Sequence, residues 1–129
     1  MKQLEPDMMP FTRLMGLEVT SQEKHLIVGK ISVREELCTT GKIMHGGAVM
    51  AMADALGAIG AYLTIPEGAK ATTTIESKTN FMRAAPLNSV ITGECTPLHI
   101  GRRTSVWQTT LRNAEHKTLA IVTQTQMVI

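Results

Sequence analysis

Residues 46–63 read GGAVMAMADALGAIGAYL, an apolar run whose single charged residue is Asp54. At 1.5 Å per residue a helix of this length spans about 27 Å, enough to lie across a sheet. Its nearly all-round apolar character calls for cover on one side by a sheet and on another by something else, for which a two-fold partner is the simple candidate. An ionised carboxylate is expensive to bury there without partners, so Asp54 is the first candidate for a group that does chemistry. The bland alternative is the wet stripe of an ordinary surface helix, yet that stripe would hold almost no other polar side chain.

Upstream, Arg34 to Met44 is polar and contains Thr39-Thr40-Gly41. It leads through His45 into the glycine pair, as a loop delivering the chain to a helix start. Leu17 to Val33 is rich in Val and Ile and divided at Gln22-Glu23-Lys24, which predicts a hairpin. Met8, Phe11, Leu14 and Met15 recur at helical spacing, predicting that residues 1–15 form a helical extension ending near Gly16, packed as a lid or plug.

After Pro66-Glu67-Gly68 the period changes. Ile75, Ser77, Thr79 and Phe81 alternate with Glu76, Lys78 and Asn80, and further strands are predicted at about Val90–Leu98, Thr104–Arg112 and Thr118–Ile129. The β-branched last strand suits a central or well-covered position, and Pro97 suits a bulge or an edge. The predicted class is α+β: a short helix, two strands, a long central helix and four antiparallel strands.

A chain of 129 residues suits one domain, 1–129, with no Gly-, Pro- or Ser-rich linker dividing it. The net charge of +2, from 13 basic and 11 acidic residues well mixed, offers no basic block to follow a nucleic-acid backbone. Cys38 and Cys95 are far apart, without CxxC or a His cluster nearby, so neither a disulfide framework nor a metal site is signalled. The N-terminal MKQLEPDMMPF breaks any signal-peptide core with acids and prolines, and Asp54 interrupts a membrane span. A cytoplasmic protein is expected.

Gly46 and Gly47 open a helix where the first N–H groups lack internal acceptors and the peptide dipoles favour negative charge. A carbonyl pointing at the Gly46 N–H would be stabilised as charge develops on its oxygen. Gly46 and Asp54 lie eight residues apart, about 12 Å on one helix, so they cannot both touch one reacting centre. If both are catalytic they come from different subunits, with two composite sites per dimer. Asp54 would then attack the carbonyl carbon or activate a water. His45 would cap or brace the loop, orient the substrate or oxyanion loop, or, least favoured because Asp54 already supplies a base, act as a general base. Arg102 and Arg103, after Leu98-His99-Ile100-Gly101, form a candidate phosphate clamp in a turn-like connection, and Arg83 would add charge beside Phe81 and Met82.

Gly41, His45-Gly46-Gly47-Ala48, Ala53-Asp54, Gly57, Asn80-Phe81-Met82-Arg83 and Leu98-His99-Ile100-Gly101-Arg102 occur in that order. From about Gly16 to the end, the chain resembles hotdog-fold acyl-CoA thioesterases of the phenylacetate-degradation and 4-hydroxybenzoyl-CoA thioesterase branch. The resemblance implies a curved antiparallel β-sheet wrapped around a long central α-helix, with dimers paired into homotetramers. It implies an acyl-CoA substrate and no cofactor, CoA being part of the substrate. It makes Asp54 the nucleophile or general base and Gly46 the carbonyl-polarising donor, drawn from opposite subunits, with His45 and Thr39 beside them. Gly47, Phe81, Met82, Arg83, His99, Gly101, Arg102 and Arg103 become the expected substrate and CoA contacts.

Two positions depart from the family pattern. Thr39 stands where many relatives carry Asn or Gln, and Ala58 where some carry Ser or Thr. Four aromatic residues and nine methionines fit a medium-chain or a small aromatic acyl group. Release from an acyl carrier protein, and acyl-CoA binding without catalysis, stand as the alternatives.

Overall fold

The computed structural model describes Leu4 and residues 8–129. Its elements are α1 (Pro10–Met15), β1 (Glu18–Glu23), β2 (Leu26–Ser32), α2 (Gly46–Leu63), β3 (Thr72–Phe81), β4 (Val90–Ile100), β5 (Thr104–Arg112) and β6 (Thr118–Val128). The strands form one antiparallel sheet in the order β1-β2-β4-β5-β6-β3, and α2 packs across it. This is the hotdog arrangement, a curved open sheet wrapped around a long central helix.

Alternation along the strands decides which side chains meet α2. In β5, Ser105, Trp107, Thr109 and Leu111 are buried while their neighbours are half-exposed. Leu56 packs closely on the sheet backbone: Gly29 and Gly93 face each other across β2 and β4, and a Cβ on either would come within 2.9 Å of its methyl groups. Around it Met52, Ile59, Ile27, Ile31 and Ile91 complete the centre of the core. Gly57 and Gly60 face the sheet. A Cβ at Gly60 would stand 2.7 Å from the Trp107 ring, and one at Gly57 would overlap the Gln124 amide. By length and composition α2 qualifies as a membrane span, yet half of it is buried within the fold.

β6 lies inside the sheet, as its composition predicts, and the register of β4 slips between Pro97 and His99, where a bulge is expected. Two expectations need correction. β4 runs past the expected Leu98 to take in His99 and Ile100, so the turn is confined to Gly101–Arg103. Of the four apolar residues expected to pack, only Met15 is buried; Phe11 and Leu14 of α1 and Met8 before it are 62%, 66% and 66% exposed. The helix anchors instead through Thr12, Met15 and a left-handed Gly16 cap. The Arg34 guanidinium donates to the Leu14 and Met15 carbonyls and so holds its C-terminus. Residues 1–3 and 5–7 of the expected N-terminal extension lie outside the described residues.

Candidate active site

The start of α2 is set by His45, whose extended backbone feeds the helix and whose Nδ1 accepts the Gly47 N–H at 2.8 Å. The His45 carbonyl accepts from Ala48 and Val49, and its own N–H donates to the Leu37 carbonyl. That leaves the Gly46 N–H without an acceptor among the described residues, aligned with the helix dipole. The accepting Nδ1 carries no proton, so a neutral His45 ring holds its proton on Nε2 as a donor. His45 therefore shapes the amide site, as its capping reading predicts.

Gly46 opens onto a cavity of about 370 Å³ whose lining includes Thr39, Val49, Phe81, Met82 and Arg83. Phe81 sits against it: a Cβ at Gly46 would stand 3.3 Å from the ring edge. Thr39 is fixed through its backbone N–H to the Ile43 carbonyl. A second cavity, about 320 Å³ and mainly apolar, lies on the other side of the turn, between Phe11, Leu14 and Met15 of α1 and His45, Gly47 and Ala48.

Asp54 lies two turns further along α2, on a half-exposed stripe with Gly47, Met50, Ala51, Ala58 and Tyr62. No other ionisable acid or base except the Tyr62 phenol shares that stripe, which fits poorly with a simple wet face. Its Oδ1 accepts the Thr74 hydroxyl at 2.7 Å, and Thr74 Oγ1 accepts from Gln126 Nε2 at 2.6 Å. Gln124 Nε2 donates to the Asp54 backbone carbonyl at 3.3 Å. Asp54 is therefore braced from β3 and β6.

A bulge makes this geometry possible. Thr74 and Phe81 are seven residues apart, which in a regular strand puts them on opposite faces. The β3–β6 register shifts between Thr74 and Glu76, so Thr74 before the shift and Phe81 after it both face α2. Ile75, read as in phase with Ser77, Thr79 and Phe81, is the extra residue and is 54% exposed.

The β4–β5 turn lies elsewhere. Arg103 accepts from the Val128 N–H, and Val128 pairs with Thr72, at the opposite end of β3 from Phe81. Ten residues of strand, about 30 Å, separate those ends. Within one chain, His99, Gly101, Arg102 and Arg103 are therefore remote from Gly46. Arg102 and Arg103 are exposed and make no ion pair among the described residues, and the His99 ring packs beside Gly101.

Thr74, Gln124 and Gln126 escaped the sequence reading. The available signal was a pair of glutamines at alternate positions of a strand expected to be covered. Among the described residues no group of three His, Cys, Asp or Glu side chains is placed to hold a metal ion.

Comparison with known proteins places this geometry in context. Residues 41–120 match the thioesterase superfamily. The proofreading thioesterase EntH of Klebsiella pneumoniae is 30% identical over 95 residues, covering 73% of this chain and 67% of that protein. A thioesterase of Haemophilus influenzae superposes with a TM-score of 0.82 at 25% identity, over 89% of this chain and 79% of that one. The PaaI protein of the Escherichia coli phenylacetic acid degradation operon shares the fold, with a TM-score of 0.86 at 19% identity over 93% of this chain and 84% of that one.

Proposed function

This chain belongs to the thioesterase superfamily and is a thioester hydrolase, and from that premise we propose that Asp54 of one subunit and the Gly46 N–H of its partner form each active site. The observation that carries the reading is the presence on one helix of an unpartnered amide at its start and a braced, half-exposed carboxylate two turns further along. Their separation of about 12 Å along one helix makes a two-fold partner necessary.

The substrate is an acyl-CoA. Its thioester oxygen takes the Gly46 hydrogen bond, which strengthens as negative charge develops there. Asp54 either draws a proton from water, whose oxygen adds to the carbonyl carbon, or adds directly to give an anhydride that water then opens. In both routes the C–S bond breaks, the thiolate leaves and takes up a proton, and a carboxylate remains. The mainly apolar recess at Gly46, with Phe81, Met82 and Val49, suits a medium-chain or small aromatic acyl group. Arg83 supplies charge at its rim, and Arg102 and Arg103 suit CoA phosphates. Residues 1–129 act as one domain, with dimers paired into a homotetramer. Two free cysteines suit a reducing cytoplasm.

Thiol release across short, medium, long and aromatic acyl-CoAs, compared between wild type and Asp54→Asn, tests the proposal. A medium-chain or aromatic optimum and loss of turnover in a variant that keeps its native oligomer are expected. Unchanged turnover per site in Asp54→Asn would overturn the assignment.

A further inference from the structure

We infer that Thr74 and Gln126 form a positioning relay for Asp54, fixing which carboxylate oxygen is left to face the reaction; this rests on the role proposed for Asp54 above. An ionised carboxylate only accepts, so the proton in the 2.7 Å contact belongs to Thr74 and points at Oδ1. With its single proton committed, Thr74 Oγ1 can only accept from the group 2.6 Å away. That requirement sets the Gln126 amide, NH₂ toward Thr74 and Oε1 turned away. One orientation of one buried amide thereby fixes the hydroxyl, and the hydroxyl fixes the carboxylate.

Gln126 is fully buried, and its Oε1 finds no partner among the described residues. A buried acceptor left unsatisfied opposes folding, so a Gln kept only to fill space would be a poor choice where Met or Leu fits. Gln124, two residues earlier on the same face of β6, holds the Asp54 backbone carbonyl. One strand thus grips the backbone of the residue directly and its side chain through Thr74. The β3 bulge turns Thr74 inward to complete the relay. Oδ1 is engaged; Oδ2 has no partner among the described residues and is the oxygen available to water or to the thioester.

The test compares Thr74→Val, Thr74→Ser, Gln126→Met and Asp54→Asn, using the acyl-CoA that the wild type turns over fastest. Initial rates of thiol release give kcat and KM, alongside oligomeric state and unfolding temperature. Thr74→Val and Gln126→Met are each expected to lower kcat about tenfold or more at little-changed KM, and Thr74→Ser to restore most of it. Packing alone would lower the unfolding temperature and leave kcat of the folded enzyme intact. Wild-type kcat in folded Thr74→Val overturns the relay while Asp54→Asn stays inactive; an active Asp54→Asn removes the Asp54 assignment instead. If Gln126→Met does not fold, the contrast between Thr74→Val and Thr74→Ser decides.

Discussion

Gly46 can lose its donor without losing its helix. It occupies the first helical position, where proline is tolerated, and His45 before it already has φ −60° and ψ 136°, a conformation suited to a residue preceding proline. Gly46→Pro should therefore preserve α2, seen as unchanged helical circular dichroism, while kcat falls about 10²–10³-fold, as for loss of one oxyanion donor. Cys95 supplies a different single-residue prediction. Burial pushes its thiol from 9.0 up to about 11, against a smaller opposing effect of the hydrogen bond with Thr109. Between those values the unfolded chain gives up a proton that the folded chain keeps. Stability from this group is thus complete below pH 9 and falls by about 2 kcal/mol by pH 11. Denaturant titrations from pH 8 to pH 11 should show that slope, and Cys95→Ala should flatten it.

One extra residue in β3 lets the strand serve both ends of the site. Deleting Ile75 would remove the register shift yet leave Thr74 and Phe81 six residues apart, still on one face of a now regular strand. Asp54 then keeps its brace and Gly46 its aromatic wall, so thiol release by this variant should stay within about tenfold of wild type in a chain that still folds. This bulge was hidden in the sequence for a physical reason. β3 is an edge strand, exposed along most of its length, and Thr-Thr-Thr-Ile-Glu-Ser-Lys-Thr has no apolar alternation whose phase could slip visibly. By contrast, α2 was legible to the residue, since the glycine pair, the apolar run and Pro66 mark both its ends. Strands β5 and β6 were legible from their β-branched alternation. In α1 helical spacing identified the element but not its buried face, which depends on the Arg34 anchor and on what lies beneath. Asp54 and Gly46 stood out because charge and glycine are conspicuous in such a helix. Thr74 and Gln126 join the site only through long-range pairing, which no local pattern encodes.

For the whole molecule, the decisive feature is that the proposed site is divided between chains. With antiparallel helices, Gly46 meeting Asp54 of the partner subunit places the two-fold axis midway between those positions, beside Met50, which is exposed on the uncovered stripe. In the proposed dimer the same operation would set Thr74 of one chain near Phe81 of the other, and pairing of the free β3 edges there would cover exposed apolar surface and unpaired strand edge together. Gly46→Pro and Asp54→Asn should then complement each other. Each homodimer is defective at both sites. A mixed dimer pairs the intact Asp54 of the first variant with the intact Gly46 of the second, regenerating one complete site and leaving one doubly damaged. Co-expression of the two variants at equal levels should make about half the dimers mixed and recover about a quarter of wild-type thiol release, by random pairing of subunits. Recovery requires exchange of subunits, so blending preformed dimers under non-exchanging conditions should give none. If purified mixed dimers are as inactive as their parents while each subunit remains folded, the amide and the carboxylate do not meet across the interface, and the composite site is wrong.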